Sequence, residues 1–450
     1  MRGVLLLPRT VSGKGRQDKK EPAGPRFVVM NQEKLDIVIT SNSPGELYSF
    51  VRPCVKSIKA LLPSARIILV IMPCQYASGR EIEVARSFEG VYEIIFPEEF
   101  RAWMFKNKPP KGITFAQKGV LLYLGGDLFQ AGLLAKRLGY RAAAYINDRF
   151  GWNKLFSRFF VADDRMAAKA ARKRISKSKV RVVGDLMADG QREEVSKEKW
   201  GLDPNRPVVT FMPGSRSAHA KHMAPFFVRT AELMKEKCEA QFVLGLSPYI
   251  NLASLEKHLK TVPDSMIKEG LGSSARLSVE NGQNYLISQA GSRLLIMDRA
   301  PYEAMGVSDL ILTIPGTNTA EAASMGRPML VLLPLNKTEV LIFDGLVGIA
   351  GNLPFVGGGI KKLTAYVLNR LVKYTALPNI KAGSFVVPEL RGRLTPAQTA
   401  DKALGLLQDK ALLERTSTAL RAVMGKPGAS KRIAEEVSHM LNMSGGPNLL

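Results

Sequence analysis

The stretch TIPGTNTAEAASMGRP, Thr313 to Pro328, decides how this chain reads. An apolar run, Leu310 to Ile314, stops at Pro315 and Gly316. A helix-like segment then opens on small and hydroxyl residues, carries one acid, Glu321, and closes at Gly326. Pro328 leads into a second apolar run, Met329 to Leu333. A strand, a tight glycine turn and a helix N-terminus together form an anion site, because unpaired backbone N–H groups point outward there. A carboxylate one turn further in can accept hydrogen bonds from sugar hydroxyls. The combination suits a nucleotide-sugar diphosphate.

Outward from that stretch, short Val/Ile/Leu runs alternate with amphipathic segments. Seven runs fall between Leu35 and Gly184, among them LDIVITS (35–41), ARIILVIM (65–72) and GVLLYLG (119–125). The pattern restarts after the polar patch Gln191 to Arg206, with PVVTFMP (207–213), QFVLGL (241–246), NYLISQ (284–289), RLLIM (293–297), DLILTI (309–314) and PMLVLL (328–333). Continuous apolar runs separated by helices predict parallel sheets covered on both faces. The expectation is an α/β chain with two doubly wound Rossmann-type domains, 35–190 and 191–395, and a ligand cleft between the carboxyl ends of their sheets. Residues 1–34 read as a basic, disordered leader, and Met30 raises the question of whether 1–29 belong to the native protein. Residues 396–450 read as helices, the last of them packing back on the first domain; Thr395-Pro396 gives a cap and a first helical residue.

Composition is that of a globular protein, 46% hydrophobic and 23% charged over 450 residues. Cys54, Cys74 and Cys238 stand far apart, which argues against a disulfide scaffold and for a reducing cytosol. His219 and His222 have no acid or cysteine at ligand spacing, so no metal site is expected. No apolar run approaches the ~18 residues that a membrane-spanning helix needs. Net charge is +24, from 64 basic and 40 acidic residues, and Trp152 to Val182 holds ten Lys/Arg against two Asp. A solvated exterior and an anionic membrane or lipid-phosphate surface both accommodate such charge. Aromatics are few and not interleaved with the basic residues, so no nucleic acid is expected.

Four more segments offer chemistry. In MPGSRSAHAKH a strand ends in Gly214, Ser215 and Arg216, a turn with a hydroxyl and a bidentate phosphate donor; the bland alternative is a plain strand–helix corner. It is not the GxxxxGK[ST] loop of nucleoside triphosphatases. In SNSPGELYSFVRP, Glu46 either complements a helix start or sits in a loop that contacts the acceptor. In YLGGDLFQAG, Asp127 is either an N-cap or a general base at the cleft mouth. Asn147-Asp148-Arg149 is held in reserve for the same role. Gly184 and Asp185, in VVGDLMADG, lie at the expected hinge.

MPGSR, VVGDLMADG, PGTNTAEAASMGRP and ALPNIKAGSFVVPEL, in that order, resemble the lipid-A-disaccharide synthase family, glycosyltransferases of the two-Rossmann GT-B type. The resemblance runs from about Leu35 to the C-terminus. It implies transfer of an acylated glucosamine from a UDP sugar to a monosaccharide lipid phosphate, with no metal or cofactor, at the inner face of the cytoplasmic membrane. It places Arg216 on the diphosphate, Gly316, Thr317 and Thr319 at the nucleotide, Glu321 toward the ribose and Asn379 in the donor site. Asp127 matches the acid of a GxDxPxFN motif and is the family's candidate base.

The chain also departs from the pattern. The AGExSGD-like first loop is SNSPGEL here, GxDxPxFN has become GGDLFQA, and a GHP-like turn has become GDL with Asp185 in the His place. Donor motifs are kept and acceptor motifs altered. The expected activity is therefore a related metal-independent glycosyl transfer, moving an (acyl-)glucosamine or N-acetylglucosamine unit to a lipid-linked acceptor at an anionic membrane surface. A UDP-N-acetylglucosamine epimerase and a non-catalytic basic binding protein are the alternatives. Acceptor identity, the donor's acyl state and the oligomeric state are not legible.

Overall fold

The computed structural model describes residues 34–73, 80–147, 149–189, 195–334 and 372–442. All but Lys34 of the expected leader, the domain boundary at 190/191 and the reserve residue Asp148 lie outside them.

The N-terminal lobe holds seven strands: β1 (Leu35–Ser41), β2 (Arg66–Ile71), β3 (Val91–Ile95), β4 (Lys118–Tyr123), β5 (Arg141–Ile146), β6 (Arg158–Val161) and β7 (Val180–Val182). They lie in the order β3-β2-β1-β4-β5-β6-β7, all parallel. The continuous apolar runs are explained by burial on both faces. Ile37, Ile39, Ile67 and Leu69 pack into one core layer, while Val38, Ile68 and Val70 pack into another.

The C-terminal lobe holds β8 (Val208–Met212), β9 (Gln241–Leu246), β10 (Ala275–Glu280), β11 (Gln283–Ser288), β12 (Arg293–Asp298), β13 (Leu310–Thr313), β14 (Met329–Pro334) and β15 (Glu389–Gly392). Their order is β10-β11-β12-β9-β8-β13-β14-β15. This sheet is not wholly parallel: β10, β11 and β12 form an antiparallel meander. The loop between β11 and β12 is too short for a crossover helix, so that pair has to be a hairpin. The β10–β11 turn is Asn281-Gly282, both at positive φ (51° and 76°), as a two-residue hairpin requires.

Each sheet reverses its winding once. From β1 the chain moves outward through β2 and β3, then returns to place β4 on the other flank of β1. From β8 it moves outward to β9, and β13 later takes the opposite flank. The β1/β4 and β8/β13 pairs are the topological switch points, where the carboxyl ends of such sheets open a crevice.

The last described helix, Ala429–Asn442, packs on the N-terminal lobe. Ile433, Val437 and Leu441 enter the same core layer as Val55 and Ile58. Asp189 fixes its start, its carboxylate accepting from the N–H groups of Gly428, Ala429 (3.1 Å) and Ser430 (2.5 Å). Three orphan donors and the positive end of the helix dipole are satisfied by one acid.

Candidate active site

On the C-terminal side, β8 and β13 deliver two turns that lie next to each other because the strands are hydrogen-bonded neighbours. After β8, Gly214 takes φ +97°, and a Cβ there would press within 2.8 Å of Ile314 and 3.0 Å of His219 Nδ1. Glycine is required on both counts. Ser215 follows, and half-buried Arg216 occupies the N-cap position of the Ser217–Lys235 helix with no side-chain cap bond to its backbone. After β13, exposed Gly316 is the extended N-cap of the Thr317–Ser324 helix, which likewise has no side-chain cap bond. Two helix N-termini therefore present their first N–H groups at one switch point, with Arg216 at the head of one of them.

The remaining donor-side residues are arranged differently. The Thr319 hydroxyl donates to the Gly316 carbonyl at 2.8 Å and accepts from Leu377 N–H at 3.1 Å, tying two helices together. Asn379 is fully buried, and its amide is saturated within its own lobe. Its Nδ2 donates to Val387 O and Glu389 Oε1, and its Oδ1 accepts from the N–H groups of Val386 and Val387. Its place is behind the wall of the site. Glu321 is buried too, its carboxylate accepting from the hydroxyls of Ser49 (2.5 Å) and Tyr302 (3.3 Å). Burial raises its pKa against those hydrogen bonds and the charge of Arg52.

The partner Ser49 comes from the other lobe. The segment after β1 starts as a short helical turn, Pro44–Glu46, passes through a π turn, Leu47–Val51, and continues as the helix Arg52–Leu61. It lies directly on the C-terminal switch point. A Cβ on Gly45 would approach Thr317 Cγ2 to 2.9 Å, and the Tyr249 hydroxyl donates to Pro44 O at 3.0 Å. Tyr48 stacks on Tyr302 with centroids 5.4 Å apart, and the Arg52 guanidinium lies 5.0 Å and 5.8 Å from the two ring centres. Farther out, Glu83 pairs with Arg299 at 2.8 Å and Asp185 with Lys381 at 2.7 Å. The second pair borders a cavity of about 370 Å³ that Asp163, Arg165 and Lys426 also line.

Glu46 is the unusual group of the N-terminal switch point. Burial raises its carboxyl from about 4.5 to about 7, against hydrogen bonds from Asn42, Ser43 and Ser41. Its carboxylate rests against Gly125 after β4, where any Cβ would collide with it. Asp127, two residues on, is exposed and caps the Leu128–Leu138 helix by accepting from Gln130 N–H at 2.8 Å. The sequence thus brought Glu46, Asp127, Gly214, Ser215, Arg216, Gly316, Thr317 and Glu321 to two facing switch points, and set Thr319 and Asn379 into the supporting structure. It missed Ser49, Tyr48 and Tyr302. A period-3.6 reading sends such residues to a core face, and no local signal announces a π turn. Among the described residues no cluster of His, Cys, Asp and Glu is disposed to hold a metal ion, and no helix is long and apolar enough to cross a membrane.

Paired Rossmann lobes with a crevice between opposed switch points define the GT-B architecture. A solved S. aureus MnaA–UDP complex shares it, with a TM-score of 0.50 at 15% identity over 92% of this chain and 99% of that one. Among curated proteins, the lipid-A-disaccharide synthase of Anaeromyxobacter sp. (strain K) is 30% identical over 249 residues, 54% of this chain and 52% of the relative. The Geobacter metallireducens lipid-A-disaccharide synthase is 27% identical over 273 residues, 58% and 57%. The chain spans about half the length of the curated relatives it matches, and no family model matches it. Over that half, the chain is similar to the lipid-A-disaccharide synthases.

Proposed function

We propose that the protein is a UDP-sugar-dependent glycosyltransferase that moves a glucosamine-type unit, acylated or N-acetylated, to a lipid-linked acceptor by direct displacement. One observation carries the reading. Two uncapped helix N-termini and Arg216 converge at the β8/β13 switch point, opposite carboxylates at the β1/β4 switch point. The first set neutralises a departing diphosphate, the function a metal ion performs elsewhere. The second set offers proton acceptors, Asp127 and Glu46, for an attacking hydroxyl. Relatives named for lipid A disaccharide formation and a fold neighbour solved with UDP support the substrate class.

The lipid side of the proposal draws on the altered acceptor segments. Phe129 and Trp152 lie with ring centroids 4.2 Å apart and tilted by 36°, with 36% and 55% of their surfaces exposed, close to Asp127 in the chain. Trp152 holds a positive φ of 53°, a conformation that costs a non-glycine residue roughly 1–2 kcal/mol. An exposed aromatic pair held at this cost, in a segment rich in Lys and Arg, suits an acyl chain and an anionic membrane surface. The reading is tested by calorimetry with UDP, followed by mass spectrometry of lipid extracts incubated with labelled UDP sugars. Saturable UDP heat and a new glycolipid are expected. No UDP heat, or epimerisation of UDP-N-acetylglucosamine without any glycolipid, overturns it.

A further inference from the structure

We propose that Glu46, rather than Asp127, accepts the proton of the attacking hydroxyl, an assignment that rests on the glycosyl-transfer reading above. Four features of the fold carry it.

First, Glu46 stands at the N-terminal switch point. It leaves the carboxyl end of β1 and lies against Gly125 at the end of β4, where the missing Cβ is what admits the carboxylate. Second, its neighbour Gly45 packs on Thr317, the first residue of the helix that faces the diphosphate. That contact brings the segment carrying Glu46 against the helix that the glycosyl-transfer reading places at the leaving group. Third, its bonds are loose. Asn42 N–H reaches Oε2 at 3.4 Å and the Ser41 hydroxyl at 3.5 Å, and no cation among the described residues pairs with it. Tyr123 on β4 faces it, a phenol whose own pKa is raised by burial and then by Glu46 and Asp127. Arg52 on the following helix turns to the rings of Tyr48 and Tyr302, and Glu321 across the interface is held by Ser49 and Tyr302. Fourth, the π turn Leu47–Val51 begins at the next residue. Such turns insert one residue into a helix and concentrate at functional sites. Here Ser49 and Tyr48, within the turn, reach the other lobe while Glu46 keeps its contact with β4.

Asp127 lacks these features. It is exposed, and its carboxylate already serves the backbone of its own helix. Glu46 also keeps a proton affinity matched to neutral pH, the condition under which a base works best. In the step, the acceptor oxygen forms a bond to the anomeric carbon as its proton passes to the Glu46 carboxylate. The bond from that carbon to the β-phosphate oxygen breaks, and its electron pair leaves with UDP. The products are the glycoside, UDP and protonated Glu46, which returns its proton to solvent.

The test uses the full chain with UDP-linked acylated glucosamine as donor and acylated glucosamine 1-phosphate as acceptor. Wild type should show a kcat/KM that rises through one ionisation near pH 7. E46Q should bind UDP within threefold of wild type by calorimetry, which also shows it folded, yet lose about 100-fold or more in kcat. The ascending limb should vanish in E46Q, persist in D127N, and return with partial turnover in E46D. Near-wild-type turnover in E46Q with the limb intact, or loss of the limb in D127N alone, overturns the assignment and leaves the glycosyltransferase reading standing. A wild type that neither binds UDP nor turns over these substrates overturns both.

Discussion

The two lobes reach the crevice by the same winding but bring opposite chemistry to it. At β1/β4 the loops carry acids, Glu46 and Asp127. At β8/β13 they carry glycine turns, backbone N–H groups and Arg216. A parallel α/β sheet fixes where a site lies, and the residues after each strand fix which half of a reaction it serves. In the proposed reaction one lobe would hold the leaving group and the other would remove the proton. The lobes also meet directly: the Ser49 hydroxyl donates to Glu321 Oε1, and Gly45 lies on Thr317.

The sharpest way to break the comparison is to titrate its acidic side. Glu46 has a folded pKa of about 7 against about 4.5 for a free carboxyl, so the native state holds the proton more tightly than the unfolded chain. The stability this contributes is complete below about pH 4.5 and is lost as pH rises through 7. E46Q, which carries no ionisable group there, should gain about 3 kcal/mol over wild type between pH 4.5 and pH 8, read as the difference of two urea-unfolding series. Parallel pH profiles would mean that the carboxylate is well solvated and the two switch points are less distinct than drawn.

The basic side comes next. Arg216→Ala should weaken UDP binding by about 2 kcal/mol, roughly 30-fold, the usual scale for a charged hydrogen bond lost to a phosphate, with thermal stability little changed. Unchanged UDP affinity by calorimetry would move the diphosphate off the β8/β13 turns.

Much of this division was open to reading in the chain. The buried β1, β2, β4, β8, β9, β13 and β14 are continuous apolar runs, and both glycine turns follow such runs directly. β10 and β15 escaped, because ARLSVE and ELRG are short edge strands with polar, half-exposed residues. The Asn281-Gly282 dipeptide is the local signal of the β10–β11 hairpin. The site was legible as positions and less so as roles. Glu46 and Asp127 both look like helix-start acids in sequence. Only packing separates them, because one lies against a glycine just past a neighbouring strand and the other faces water. Asn379 sits in a motif of donor-site type, yet its amide is saturated by residues 386–389, a long-range pairing that no local pattern encodes.

A smaller effect tests how the C-terminal helix belongs to the acidic lobe. Asp189→Ala leaves three N–H groups at the start of Ala429–Asn442 without their acceptor. The cost should be about 1–2 kcal/mol of global stability, with faster hydrogen exchange confined to that helix and the facing Arg52–Leu61 helix. Exchange spreading equally into β8–β15 would mean that the helix braces both lobes.

The smallest expected effect lies at Asp185, whose side chain reaches from one lobe to the other. Its carboxylate meets Lys381 Nζ at 2.7 Å, and the ammonium also donates to Met424 O at 3.1 Å. Asp185 also accepts from Met187 N–H at 3.0 Å, so the acid orders its own turn and reaches the other lobe at once. Both side chains are partly exposed, at 24% for Lys381 and 16% for Asp185, so solvent screens the pair and its worth is held to about 1 kcal/mol or less. Asp185→Asn keeps the turn's hydrogen bond and removes the charge. It should lower stability by no more than that figure, with the loss shrinking further in 0.5 M salt, while the population of open lobes seen by small-angle scattering rises. A loss of several kcal/mol would show instead that the Asp185–Lys381 pair is far better shielded than its exposure implies and carries much of the contact between the lobes.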